Sequence, residues 1–173
     1  RCRRCRAAGV DAVNLPDGPR ASARISVIMA AMLAQREAGM ECLPHYCCRD
    51  RNLIGMQADL LGAQAVGLHN WLLITGDPPK LGDYPDATGV FDLDAIGLCR
   101  LVANLNAGCD AAGHPVAPPA IMLAGVGANP VALEMEREIE RFYAKIEAGA
   151  EFAITQPVFD PDALLRFLDR VNR

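Results

Sequence analysis

Short apolar runs alternate along this chain with longer segments in which apolar residues recur every three or four positions. The short runs end in Gly, Asn, Asp or Pro, which indicates strands that stop at turns, and the longer segments predict amphipathic helices. Met135, Ile139 and Phe142, for example, fall on one helical face. The predicted strands cover 11–15, 40–46, 70–75, 120–125 and 151–156, and the helices that follow them cover 20–38, 52–66, 92–107, 130–148 and 161–172.

The order of these elements predicts an α/β fold with a parallel sheet. The strands are apolar on both faces, which is typical of strands covered by helices on one or both sides. No G-x-G-x-x-G follows a predicted strand, which disfavours a dinucleotide-binding Rossmann domain. A complete (β/α)₈ TIM barrel needs about 250 residues. The 173 residues therefore predict a partial barrel of about five βα units, forming a single domain over 1–173.

Composition narrows the range of partners. The chain is 51% hydrophobic and 22% charged, which is ordinary for a globular domain. Its net charge of −4 disfavours nucleic-acid binding. No apolar run approaches the roughly 20 residues of a membrane span. Seven cysteines at irregular spacing indicate a reducing compartment, so we expect a cytoplasmic protein.

Polar groups follow each predicted strand. Barrel enzymes carry their chemistry at the carboxyl ends of the strands, so these groups are expected to converge on one mouth. The alternative is that each is a turn former or a helix cap. The groups are Asn14 and Asp17, His45, Thr75 and Asp77, Gly125 to Asn129, and Thr155 with Gln156.

The sequence disfavours several reaction classes. Lys80 lies in a predicted loop and Lys145 on a predicted helix, which disfavours a Schiff-base aldolase. No G-x-S-x-G is present, so the usual hydrolase elbow is missing. Cys2 and Cys5 form one C-x-x-C without a second pair, and we therefore predict no metal site.

Two features of the sequence each allow two interpretations. Arg49 and Arg51 follow the second strand, and they are either solvated residues in weak ion pairs or a clamp for an anionic ligand. The loop over 78–91 is long and contains Phe91 at its end, so it either covers a ligand or simply connects two elements.

Four stretches, taken together, resemble the methylenetetrahydrofolate reductase family. Their order and spacing also fit that family, most closely the reductase half of two-domain proteins that carry a homocysteine methyltransferase domain upstream. The stretches are PHYCCRDRN (44–52), LLITGDPP (72–79), AGVGANP (124–130) and EAGAEFAITQPVFD (147–160).

The resemblance implies a flavin-dependent reductase of one-carbon and methionine metabolism. In that family a (β/α)₈ barrel holds FAD non-covalently, NADH or NADPH reduces it, and 5,10-methylenetetrahydrofolate becomes 5-methyltetrahydrofolate. The family's first strand, with its general-acid glutamate, and its last strands are expected to lie outside this chain, so this segment alone is expected to be inactive. Open sheet edges would also favour a homo-oligomer.

The resemblance also implies roles for individual residues. Asp77 is expected to be catalytic, to contact the folate pterin, and to disfavour a reduced flavin anion by its fixed charge. Gln156 is expected to bind the folate. The expected FAD contacts are His45, Thr75, Gly76, Asp77, Phe91, Asp92, Asn129, Glu138 and Lys145.

Two other functions remain open at this stage. A folate- or pterin-binding barrel without flavin, such as a methyltransferase domain, would use the same mouth. A barrel remnant could also serve only as a scaffold.

Overall fold

The computed structural model describes residues 1–172 as one curled sheet of five parallel strands with helices between them. The strand order is β1-β2-β3-β4-β5. The strands are β1 Ala12–Leu15, β2 Glu41–Cys47, β3 Asn70–Ile74, β4 Leu123–Ala128 and β5 Phe152–Thr155. The helices are α1 Cys2–Ala7, α2 Val27–Ala38, α3 Leu53–Ala65, α4 Ala95–Asn106, α5 Met135–Glu147 and α6 Pro161–Val171, with 3₁₀ turns at Pro19–Ala21 and Pro79–Leu81.

This strand order confirms the predicted partial barrel. Each strand pairs in parallel with the next along the chain, and the order never reverses as it does in a doubly wound sheet. The sheet curls into a half-barrel, so the carboxyl ends of its strands face a common mouth. Within residues 1–172 no helix is both long and apolar enough to cross a bilayer.

The core lies between the outer face of the sheet and the helices. The rings of Tyr46 and Trp71, on adjacent strands, meet edge to face with centroids 5.7 Å apart. Leu73 continues this apolar layer, and Leu60 and Leu98 pack against it from α3 and α4. Burial of these large side chains is the main force holding the helices to the sheet.

Three helices begin with the side-chain caps that their sequences favour. Asn52 accepts a hydrogen bond from the Gly55 amide at 2.8 Å at the start of α3. Asp94 accepts from Ile96 and Gly97 at the start of α4. Asp160 caps α6, where Pro161 takes the first helical position. Each such cap contributes about 1 kcal/mol and fixes where a strand-to-helix loop ends.

Predicted boundaries are wrong at several elements. The helix predicted over 130–148, for example, begins only at Met135. The helix predicted over 20–38 begins only at Val27, because Arg20 and Ala21 adopt left-handed backbone angles that no α-helix contains. The strand predicted over 120–125 is Leu123–Ala128. Asn106 hydrogen bonds to both backbone groups of Met122, so this segment bonds to a side chain before it joins the sheet.

Candidate active site

A cavity of about 650 Å³ opens at the carboxyl ends of the strands. Several residues that the sequence predicted at or just after the ends of β1, β2, β3 and β5 line it. Groups that are distant along the chain therefore meet at one cavity. These residues are Asn14, Asp17, His45, Gly76, Asp77, Thr155 and Gln156.

The floor of this mouth cavity is apolar. Leu72, Ile74 and Ile154 line it from the inner face of the sheet. Gly127 also lines it, and a Cβ placed on Gly127 would have no described heavy atom within 4 Å apart from its chain neighbours. The glycine thus leaves open the space that any other side chain would fill, which suits a planar group lying on the sheet.

His45 is held by the neighbouring strand. Its Nε2 donates to Oδ1 of Asn14 at 2.8 Å. Burial lowers the pKa of His45 below its ordinary value, although the Asp17 carboxylate opposes the shift. The ring is therefore neutral at neutral pH, and with the proton on Nε2 its Nδ1 atom is a hydrogen-bond acceptor.

Asp77 is exposed at the rim of the cavity, just after β3. Its Oδ2 accepts a hydrogen bond from the Arg20 amide at 3.2 Å. Its backbone carbonyl accepts from Nη1 of Arg49 at 3.4 Å. The carboxylate is therefore fixed from the first strand's loop while one oxygen stays free of protein donors among the described residues.

A second cavity of about 640 Å³ adjoins the first and shares Gly127, Gln156 and Pro157 with it. Three predicted cofactor residues line this second cavity, namely Asn129, Glu138 and Lys145. Two separately predicted groups of residues are thus parts of one continuous surface across the ends of β4 and β5.

Lys145 stands out in the second cavity by its burial. It is only 7% exposed although it carries an ammonium group. Its Nζ donates to the Gly127 carbonyl at 2.8 Å. Burial lowers the pKa of Lys145, and Glu138 opposes the shift. Glu138 in turn accepts a hydrogen bond from the Asn129 amide at 2.9 Å, so the acidic group is engaged with the backbone.

The remaining three predicted cofactor residues make structural contacts. Oγ1 of Thr75 accepts from the Ala95 amide, and Asp92 accepts from the Leu53 amide, so both support helix starts. Phe91 packs against the main core with a left-handed φ of 47°. Their contact with a cofactor stays a prediction.

Arg49 and Arg51 are not the solvated residues that one of the two interpretations predicts, and the anion clamp stays a prediction. Arg49 is 4% exposed and Arg51 lies over the Tyr46 ring at 4.5 Å. Arg51 pairs with Asp17 at 2.8 Å and with Asp59 at 3.0 Å. Nothing in the local sequence separates such internal ion pairs from solvated ones, because their burial comes from three loops folding together.

The cysteines are all free thiols. Burial raises the pKa of Cys47 and Cys48 to about 12, which makes both poor nucleophiles. Within residues 1–172 no group of three or more His, Cys, Asp or Glu side chains could hold a metal ion.

The structure is a half-barrel of βα units with a polar mouth and an adjoining cavity that Glu138 and Lys145 line, which places it in the class of (β/α)-barrel proteins. Its fold is similar to that of 2,3-dimethylmalate lyase, a member of the PEP mutase/isocitrate lyase superfamily, with a TM-score of 0.64 over 98% of this chain and 57% of that one. The sequence identity is 11%, so this likeness concerns the fold alone.

The sequence model of methylenetetrahydrofolate reductase matches residues 1–173, and the chain belongs to that family. It is 28% identical over 148 residues to methylenetetrahydrofolate reductase 2 of Schizosaccharomyces pombe, covering 84% of this chain and 22% of that protein. It is 26% identical over 136 residues to the 5,10-methylenetetrahydrofolate reductase of Pectobacterium carotovorum, covering 79% of this chain and 40% of that protein. The chain thus spans less than half the length of these relatives.

Proposed function

We propose that this chain is the mouth-forming part of a flavin-dependent reductase that converts 5,10-methylenetetrahydrofolate to 5-methyltetrahydrofolate with NAD(P)H. The observation that carries the proposal is the convergence of Asp77, His45 and Gln156 on one cavity, which continues over Gly127 to the buried Lys145. Family membership supplies the reaction class.

The residues present fit FAD in two respects. The open space over Gly127 accommodates a flat ring against the sheet. The ammonium of Lys145 has three donors, of which the described contacts use one, toward Gly127. An anionic group in the second cavity would take the others, so Lys145, Asn129 and Glu138 would hold the nucleotide half.

When bound, the flavin supplies hydride transfer between the nicotinamide and the folate. The role of the protein is to position the folate and the flavin and to set the charge around them. Asp77 presents a fixed negative charge at the rim, which favours transfer of a hydride away from the site. Gln156 offers both a donor and an acceptor to the edge of a pterin. His45 offers a neutral acceptor at Nδ1 and adds no charge.

The proton that completes the reduction is proposed to come from a glutamate outside this chain. The mouth then needs only to orient the ring and to exclude water around it. Both NADH and NADPH remain candidate donors. A cytoplasmic location, homo-oligomerisation and a fused homocysteine methyltransferase domain belong to the same proposal.

The absorbance spectrum of the intact protein tests this function. After incubation with FAD and gel filtration, we expect a flavin band that NAD(P)H bleaches. Lys145→Met should reduce the retained flavin, while Lys80→Met, the only other lysine and an exposed one, should not. A colourless protein that FAD cannot reconstitute, but that still binds methyltetrahydrofolate, would instead indicate a flavin-free pterin-binding barrel.

A further inference from the structure

Arg49 connects three loops beneath the mouth. Its Nη1 donates to the Gly18 carbonyl at 3.2 Å and to the Asp77 carbonyl at 3.4 Å. Its own backbone carbonyl accepts from the Val90 amide at 2.8 Å. One residue at the end of β2 thereby holds the loop after β1 and both ends of the long loop after β3.

Two glycines lie close against the Arg49 side chain. A Cβ on Gly18 would lie 2.6 Å from Nη2 of Arg49, and a Cβ on Gly76 would lie 3.2 Å from its Cβ. Both glycines also have left-handed φ values, of 51° and 93°. The backbone on either side thus approaches the arginine more closely than other residues allow.

The positive charge of Arg49 is neutralised away from the cavity. Its Nε and Nη2 atoms bind both oxygens of Asp50, at 2.6 and 2.7 Å. This forked pairing keeps the pKa of Asp50 below its usual range, mainly through the hydrogen bond from Arg49. Asp77 therefore gains a directional donor on its carbonyl without a neighbouring net positive charge that would cancel its own.

The described contacts give the Asp77 carboxylate one protein donor, the Arg20 amide. That amide lies in a left-handed turn, at φ of 56°, two residues after Gly18. Arg49 therefore fixes both the backbone of Asp77 and the loop that presents its donor. The guanidinium group bonds to the backbone carbonyl of Asp77 and not to its carboxylate, so its effect reaches the reacting atoms through Asp77.

We propose that Arg49 is a positioning residue that aims the Asp77 carboxylate at the folate side of the mouth. This inference rests on the proposed function. The positioning depends on the forked geometry of the guanidinium. A lysine cannot replace it, because an ammonium cannot bind Asp50 in a fork and also bridge Gly18 and Asp77.

Hydrogen exchange tests the positioning without any ligand. In the intact Arg49→Lys protein we expect amide exchange at Arg20 and across 76–82 to be about tenfold faster. Arg170→Lys is the control, since Arg170 on α6 pairs with Glu136 on α5. Unchanged exchange at Arg20, or an equal change in the control, would overturn the proposal.

A double-mutant cycle tests the functional role. We expect Arg49→Lys to weaken folate binding to the flavin-loaded protein about tenfold, with bleaching by NAD(P)H nearly unchanged. In an Asp77→Asn background the same substitution should cost less than twofold. Equal losses in both backgrounds would overturn the role of Arg49 while leaving the reductase assignment intact. A protein that binds neither flavin nor folate would instead overturn the proposed function, and the exchange result would still decide the positioning.

Discussion

The ammonium of Lys145 donates a 2.8 Å hydrogen bond to the carbonyl of Gly127, the glycine that leaves the floor of the mouth open. A buried charge and an absent side chain are thus adjacent. Both features are unfavourable or neutral for folding alone, because burying an unpaired charge costs free energy and a glycine weakens a strand. Their proximity supports the proposal that this surface holds a ligand that is both planar and anionic.

The glycine gives the first prediction. Gly127→Ala should leave the free energy of unfolding unchanged or raised by up to about 1 kcal/mol, since the added methyl meets no described atom. If a ring lies there, the methyl should weaken FAD binding by about 1–3 kcal/mol, the usual cost of overpacking. Fluorescence titration of FAD measures the dissociation constant.

Gly62→Ala is the matched control for that experiment, because it adds the same methyl group in open space on α3. It should stabilise the helix and leave FAD binding unchanged. Equal FAD affinity in Gly127→Ala and the original protein would rule out a ring seated on this glycine.

The ion pairs beneath the mouth give the second prediction. Arg51→Met should lower the free energy of unfolding by about 3 kcal/mol, because it leaves the buried Asp17 carboxylate without its partner. Arg137→Met breaks an exposed pair with Glu134 and should cost less than about 1 kcal/mol. Urea unfolding of the two variants measures the difference, and equal losses would show that the Arg51 pairs are effectively solvated.

His45 gives a prediction about pH. Its pKa is lowered in the folded protein, so below the ordinary value of about 6.5 the unfolded chain binds more protons than the folded one. The contribution of His45 to stability should therefore fall as pH drops from about 6.5 toward the folded pKa, and then level off. The unfolding free energy of His45→Gln, subtracted from that of the original protein at pH 7.5 and 5.5, should reveal this loss. A difference that does not change with pH would contradict it.

The thiols give the fourth prediction. Cys109 is exposed, whereas Cys47 and Cys48 are buried with pKa values of about 12. Iodoacetamide at pH 8 should therefore modify Cys109 rapidly and spare the other two until the protein unfolds. Peptide mass spectrometry gives the order of modification. Because these raised pKa values favour folding only while the unfolded thiols stay protonated, stability should also decline as pH rises above about 8.5.

The fold was predictable because its signals are local. The apolar strand over Trp71 to Ile74 and the cap at Asp160 are visible in short windows of sequence, and the structure has both. The left-handed turn at Arg20 was not visible, because it depends on the Asp77 carboxylate from a distant loop.

The site was predictable in part for the same reason. Strand-end positions located His45, Asp77 and Gln156, since parallel strands bring their carboxyl ends to one edge. The burial of Arg49 and the empty space over Gly127 were missed, because each is a property of several elements packed together.

The most direct test of the central claim is the rate at which methylenetetrahydrofolate re-oxidises the NAD(P)H-reduced intact protein, measured by stopped-flow absorbance. Asp77→Asn should slow this step about 100-fold, as expected for loss of one preorganised electrostatic group. Reduction by NAD(P)H should change far less, and Asp83→Asn in the exposed loop should change neither step. If Asp77→Asn re-oxidises as fast as the original protein, the mouth described here is not where the folate is reduced.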